Sequence, residues 1–355
     1  MAHIVSRYPG RNIEVKGRPY LYFGGTAYLG VQADPVFQKI LIGNIKKYGT
    51  NYGASRNSNI QLSIYEEAEK RLARWIGSEA SLTLSSGYLA GQLLCSSFQS
   101  SRYKLFYAPN SHSALRTLNS GKAKIKPHVT YSALNFALRE HLRLRPKISP
   151  VVFLDSIDFS GYSYPHFEGL STLPLEEIIL VADDSHGIGV VGSSGNGSFK
   201  KLKELNAKEL ILCCSLGKAM GIQAGAICGS KERLSQMAST VFFEGASPAP
   251  PAYMATFLDS FDYYAEKRKI LKQHIKTFLK ESASLADFRS IEGHPAFAYA
   301  DEKLTRNLEE NGIIVTDFNY GNDNENLTSR VVLNAAHQKE DIQYLVSVLK
   351  SRTKG

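Results

Sequence analysis

Two short stretches hold most of the residues that could do chemistry. The first reads EIILVADDSHGIGVVG from Glu177 to Gly192, and the second reads ELILCCSLGKAMGIQAGAICG from Glu209 to Gly229. Each starts as an apolar run rich in Ile, Leu and Val and stops abruptly in polar and small residues, as buried parallel strands do when they deliver side chains to the carboxyl edge of a sheet. The first run delivers Asp183 and His186; the second delivers Ser215 and Lys218. Lys218 sits among Leu216, Gly217, Ala219, Met220 and Ile222. Desolvating an ammonium there costs several kcal/mol unless the proton is given up or the charge is used. A lysine that must lose its proton is a good amine nucleophile.

Three chemistries fit parts of this pattern. Gly187, Gly189 and Gly192 spell the G-x-G-x-x-G of dinucleotide sites, but the SSGNGSFKK that follows opens no helix to hold a pyrophosphate. Ser215 and Lys218 spell the S-x-x-K of penicillin-binding enzymes, yet no K-T-G follows. The third is a pyridoxal phosphate site, in which a lysine holds the cofactor as a Schiff base and a carboxylate faces its pyridine nitrogen. That reading uses Asp183 and Lys218 together.

The residues D-D-S-H-G-I-G-V-V-G (183–192) resemble the D-[DE]-A-H-G-x-G-x-x-G signature of the α-oxoamine synthases, and S-L-G-K-A-M-G (215–221) resembles their T-[FL]-G-K-x-x-G lysine motif. The match is collinear from about Tyr20 to the C-terminus. The resemblance implies the aspartate aminotransferase-like fold of type I pyridoxal phosphate enzymes, an α/β architecture with a large, mostly parallel sheet domain and a small α+β C-terminal domain. It implies an acyltransferase that condenses a small amino acid with an acyl-CoA, alanine with a pimeloyl thioester being the first expectation; an aminotransferase, aldolase or lyase on the same fold is the alternative.

Carried over residue by residue, the resemblance makes Lys218 the cofactor's lysine and Asp183 the partner of its pyridine nitrogen, with Asp184 next in line. It puts His186 near the phenolic oxygen and His112, in the APNSHSALRT segment, over the ring face. Gly87 and Tyr88, where Ser85-Ser86-Gly87-Tyr88 opens a helix, and Ser215 would hold the phosphate, and Ser247 would reach into the partner's site across a homodimer. Arg330 would grip the amino acid carboxylate, which suits a planar guanidinium. The sequence departs from the family at Thr26, Tyr65 and Gly91, which stand where asparagine, histidine and asparagine are usual. Thr26 falls near the amino acid pocket.

The elements that must position these residues follow from the pattern. An N-terminal arm and first helix are expected over 1–45, with hairpin-like alternation in KGRPYLYFGGTAYLG and a helix starting at Asp34-Pro35. Ser63 is expected to cap the next helix, with Glu67 and Arg71 paired on one face. Over 46–245, ASLTLS, KLFYAP, SPVVFLDS, EIILVADD, ELILCCS and GAICGS read as strands alternating with helices, which implies a largely parallel sheet covered on both faces. Ser-Pro-Ala-Pro-Pro (247–251) then starts one long helix through Ser282, and a small α+β unit completes 246–355.

Composition narrows the function classes. The chain has 355 residues, 42 Lys and Arg against 33 Asp and Glu, and a formal charge of +9. The cations are scattered, with small clusters at Lys122–Lys126 and Lys200–Lys203, so the excess suits an anionic substrate such as an acyl-CoA better than nucleic acid. Cys95, Cys213, Cys214 and Cys228 show no C-x-x-C and no secreted framework, and residues 1–20 lack the apolar core of a signal peptide. Together these point to a cytoplasmic protein. The most apolar long stretch, Leu210 to Gly229, carries Ser215, Lys218 and Gln223, which argues against a membrane span.

Overall fold

The computed structural model describes residues 3–111, 113–116, 126–158, 164–283, 285, 288–317 and 329–351. The chain opens with the expected hairpin, β1 (Asn12–Val15) and β2 (Arg18–Phe23), turned at Lys16 and Gly17 with both φ angles positive. Helix α1 (Pro35–Tyr48) starts where Asp34 and proline require it: Asp34 Oδ1 accepts from the amides of Val36 and Phe37, and its other oxygen pairs with Lys267 at 2.8 Å. Helix α2 (Ser63–Ile76) differs from expectation. Ser63 is its first residue rather than its cap; the cap position is Leu62, with no side-chain bond. The pair on its surface is Glu66 with Lys70, because Arg71 instead lays its guanidinium 4.1 Å over the Phe261 ring.

Alternation of strand and helix then builds the main sheet. Its elements are β3 (Ala80–Leu84), α3 (Gly87–Ser97), β4 (Tyr103–Tyr107), α4 (Tyr131–Leu144), β5 (Ser149–Asp155), α5 (Glu168–Ser171), β6 (Ile179–Asp183), α6 (Phe199–Lys203), β7 (Glu209–Ser215) and β8 (Gly225–Gly229). The strand order is β3-β8-β7-β6-β5-β4, with β4 to β7 mutually parallel. Strand β8 runs antiparallel to both neighbours, since the Leu216–Ala224 connection is too short for a parallel crossover, which needs about a dozen residues or more. Both faces are buried. Val152, Leu154, Leu180, Ala182, Leu212 and Cys214 join one core cluster, while Val151, Phe153, Ile179, Val181, Ile211 and Cys213 join the other. All four cysteines are free and buried.

After α7 (Lys231–Ala238) and α8 (Val241–Gly245), the expected single long helix is two: α9 (Pro251–Asp259) and α10 (Phe261–Glu281), separated at Ser260. The break lets α9 pack on α1 and α2 while α10 packs on the last helix. The remaining elements are β9 (Arg289–Ser290), β10 (Ala296–Tyr299), α11 (Glu302–Glu310), β11 (Ile313–Val315), β12 (Ser329–Val332) and α12 (Lys339–Ser351). They form two small sheets, β12-β10-β9 and β1-β2-β11, so the N-terminal hairpin is completed by a strand from the far end of the chain.

A bidentate ion pair fastens the same junction. Arg11 Nε and Nη2 donate to Asp341 at 2.6 and 2.7 Å, and Asp341 is 5% exposed. Burial raises the Asp341 carboxyl, but the hydrogen bonds from Arg11 and Gln338 outweigh it and hold it below its ordinary value. Arg11→Ala should therefore lower stability at pH 7 by about 2–3 kcal/mol, by stranding a buried carboxylate. A depressed acid stabilises above its unfolded pKa and loses that contribution as pH falls, so the difference between variant and wild type should shrink below about pH 4. Urea unfolding at both pH values reads the difference.

Candidate active site

The carboxyl edge of the parallel strands gathers the polar residues. Asp183 ends β6 beside Asp155 of β5 on one side and Cys213 of β7 on the other. Its Oδ1 accepts from the Ser185 amide at 2.8 Å. Strand β7 ends at Ser215, and the tight Leu216–Ala224 turn, closed by Leu216 N to Ala224 O at 2.9 Å, carries Lys218. The lysine amine lies 2.7 Å from His186 Nε2, and His186 Nδ1 lies 2.6 Å from the Tyr28 hydroxyl. Burial lowers the Lys218 pKa from its ordinary value; Asp183 and Asp155 oppose that, and Arg330 adds to it.

Three neighbours of this constellation escape sequence reading. Tyr28 is 1% exposed and lies in the quoted G-T-A-Y-L-G segment, but nothing in that segment says its hydroxyl meets an imidazole 158 residues away. His294 is fully buried and donates from Nε2 to the His186 carbonyl at 3.1 Å; its Nδ1 accepts from the Ala296 amide. Burial pushes His294 down to about 3, so it is neutral. Gln32 is a third, donating to the Lys218 carbonyl at 2.7 Å.

A small-residue cradle lies next to the lysine turn. Ser86 caps α3 with its hydroxyl on the Leu89 amide, and α3 begins at Gly87 against Ser215. A Cβ at Gly87 would lie 2.6 Å from Ser215 Cβ, and one at Gly225 would overlap the Ser86 carbonyl, so the helix N-terminus meets the end of β7 without intervening side chains. Free amides at a helix start bind a dianion, so this cradle fits a phosphate group, and the buried lysine beside it fits a carbonyl-bearing cofactor.

The other expected residues fall as follows. Arg330 is on β12, with its backbone bridged to Thr316, and its charge bears on both Lys218 and His294. Thr26 lines a cavity of about 600 Å³ that also borders Gly217, the residue before the lysine. Tyr88 is half exposed. Ser247 is exposed ahead of α9 and makes none of the described contacts with this constellation. His112 lies outside the described residues. The departures at Gly91 and Tyr65 have local causes: a Cβ at Gly91 would stand 2.6 Å from the Ala114 carbonyl, and Tyr65 is buried with its hydroxyl donating to the Ala249 carbonyl at 2.8 Å.

Asp184 does something else entirely. It is fully buried and accepts from the Ser156 hydroxyl, from the Ser198 hydroxyl at 2.9 Å and from the Ser198 amide at 3.0 Å. Burial drives its carboxyl up to about 6 against those donors. Gly187 and Gly197 are glycine because a Cβ at either would lie about 2 Å from the carboxylate, at 2.1 and 2.0 Å. The first glycine of the G-x-G-x-x-G run thus abuts a protein carboxylate, while Gly189 lies against Ala219 and Met220 and Gly192 against Asn196 and Gly197. A helix does follow, against expectation, but α6 has five residues and starts at Phe199, away from the glycines.

A sheet whose carboxyl edge presents a buried lysine, paired carboxylates and an anion cradle defines a pyridoxal phosphate-dependent enzyme of fold type I. The model for the aminotransferase class I and II family matches residues 27–349, and the chain belongs to that family. Curated relatives include a putative 8-amino-7-oxononanoate synthase of Rippkaea orientalis, 26% identical over 97% of this chain and 93% of its own, and the 8-amino-7-oxononanoate synthase of Buchnera aphidicola, 27% identical over 96% and 91%. Among solved structures, Sphingomonas wittichii serine palmitoyltransferase superposes with a TM-score of 0.83 at 17% identity, covering 99% of this chain and 92% of that one. The 8-amino-7-oxononanoate synthase of Francisella tularensis gives 0.71 at 18%, covering 94% and 98%. The α-oxoamine synthase resemblance, the fold class and the pyridoxal phosphate cofactor are all borne out. No helix among the described residues is long and apolar enough to cross a membrane.

The two adjacent aspartates can be told apart by experiment. Asp184→Ala should cost about 3 kcal/mol in urea unfolding, since it leaves three buried donors without an acceptor. Asp183→Ala should change stability by less than about 1 kcal/mol, since among the described residues its carboxylate has only the Ser185 amide to release. Equal losses would contradict this division.

Proposed function

We propose that this enzyme condenses a small amino acid with an acyl-CoA to give an α-oxoamine, as an 8-amino-7-oxononanoate synthase does. The observation that carries the residue assignment is Lys218, its amine on His186 and its backbone turn beside the Gly87–Ser215 cradle, with Asp155 and Asp183 at the same sheet edge. The bound cofactor supplies an electron sink for the pair released at the amino acid's Cα. Asp183 would hold its ring nitrogen protonated, because a carboxylate in a dry site favours the charged partner by several kcal/mol. The α3 N-terminus at Gly87 and Tyr88, with Ser215, would hold its phosphate. His186 and His112 would contact its ring.

Arg330 pairs with the substrate carboxylate and so fixes which bond at Cα stands in line for breaking. Lys218, whose pKa burial lowers, takes the α-proton and later returns it. Thr26 and the cavity beside Gly217 offer the space from which an acyl thioester would approach the same carbon. The enzyme would work as a homodimer in which Ser247 completes the partner's site; its exposure ahead of α9 supports this. Free buried cysteines suit the reducing cytoplasm.

Glycine, alanine or serine should exchange its α-proton with deuterated water before any acyl-CoA is added, as read by proton NMR. The right acyl-CoA, pimeloyl-CoA with alanine first, should then release free thiol. Borohydride should fix the cofactor to Lys218, and Lys218→Ala should lose that adduct. Arg330→Ala should weaken amino acid binding by about 2–3 kcal/mol, the worth of a charge-assisted bidentate contact, and acyl-CoA binding far less. Amino transfer to a keto acid without thiol release would replace the synthase reading with an aminotransferase.

A further inference from the structure

The row of groups Tyr28, His186, Lys218 has a polarity that can be derived. The Tyr28 hydroxyl is 2.6 Å from His186 Nδ1, and His186 Nε2 is 2.7 Å from the lysine amine. A neutral imidazole carries one ring proton, so whichever nitrogen accepts determines what the other offers. An imidazole nitrogen is a stronger base than a phenol oxygen, and 2.6 Å is the spacing of an O–H donor. With Tyr28 as the donor to Nδ1, the imidazole proton sits on Nε2, facing the amine. An N–H pointing at Lys218 Nζ is satisfied by the lone pair of a neutral amine and repelled by an ammonium.

We infer that Tyr28 is a positioning residue that locks His186 in its Nε2–H tautomer and thereby keeps the Lys218 amine as the free base in the cofactor-free chain, ready to take a carbonyl. This deepens the proposed function and rests on Lys218 being the cofactor's lysine. The surrounding groups are consistent with it. Asp183 and Asp155 favour the ammonium, burial and Arg330 oppose it, and His294, neutral and donating to the His186 carbonyl, holds the imidazole's backbone in place. Tyr28 itself cannot swing away. It is 1% exposed, its ring meets His294 edge-on at 5.1 Å, and its main-chain carbonyl accepts from the Ala335 amide at 3.0 Å. Removing the hydroxyl would free the imidazole to put its proton on Nδ1 and accept from an ammonium at Nε2, so the lysine should become harder to deprotonate.

The test uses the cofactor-free full-length chain, wild type and Tyr28→Phe. Lys218 is labelled competitively with acetic anhydride across pH and quantified by mass spectrometry against exposed Lys70. Ring nitrogen shifts of His186 are read by ¹⁵N NMR. Tyr28→Phe should move the Lys218 labelling midpoint upward by about one pH unit, making acetylation about tenfold slower at pH values below the wild-type midpoint, and the protonated-nitrogen signal should leave His186 Nε2, while Lys70 labelling stays the same. An unchanged midpoint and tautomer in the variant would overturn the inference. So would wild-type His186 protonated at Nδ1, a reading that needs no variant to fold. Location of a borohydride adduct on another lysine would instead defeat the assignment of Lys218, whatever Tyr28 does.

Discussion

An amine placed inside a protein must be neutral, paired or expensive. Lys218 resolves this by position: its turn hangs off the carboxyl edge of β7, where the sheet stops burying and starts presenting polar ends. Two carboxylates, one guanidinium and one imidazole then set how much of its charge survives. Moving any strand of the parallel group by one residue would turn Asp155, Asp183 or Ser215 to the opposite face of the sheet. The tight pairing register and the fully buried strand interiors are thus what keep the chemistry in place.

The loop that carries His186 needs its own anchor, since the glycine-rich segment after β6 has little side-chain surface to pack. Asp184 supplies it from inside, gathering Ser156 and Ser198 around one carboxylate and leaving room for nothing larger than hydrogen at Gly187 and Gly197. The neighbouring acid has the opposite fate because side chains alternate along a strand: Asp183 continues the face of Val181, and Asp184 that of Ala182. One residue of register separates a structural carboxylate from one at the site.

Much of this was legible in the chain itself. The lysine and aspartate motifs, the strand runs and the Asp34-Pro35 helix start depend on neighbours in sequence, and they fall where the pattern puts them. The direction of β8 was readable in principle from a connection too short to cross over, yet the alternation of strand and helix before it masked that cue. The split between α9 and α10 was not readable, because it follows from which helices each half packs against. Tyr28, Gln32 and His294 were missed for the same reason. Their importance lies in contacts with residues far along the chain, and a single sequence carries no signal of those.

The parallel pairing of β2 with β11 has a consequence for how the chain must be made. Leu21 to Phe23 find their partners in Ile313 to Val315, nearly the whole chain later. During synthesis the hairpin emerges long before its partner strand, and its free edge stays open until Ile313 to Val315 have left the ribosome. The main sheet, complete by Gly229, can assemble in the meantime. An unpaired edge held open for that long is a surface on which chains can join wrongly. The waiting edge is that of β2, where Arg18 and Pro19 at the strand's start leave a nascent chain little flat apolar strand to offer another.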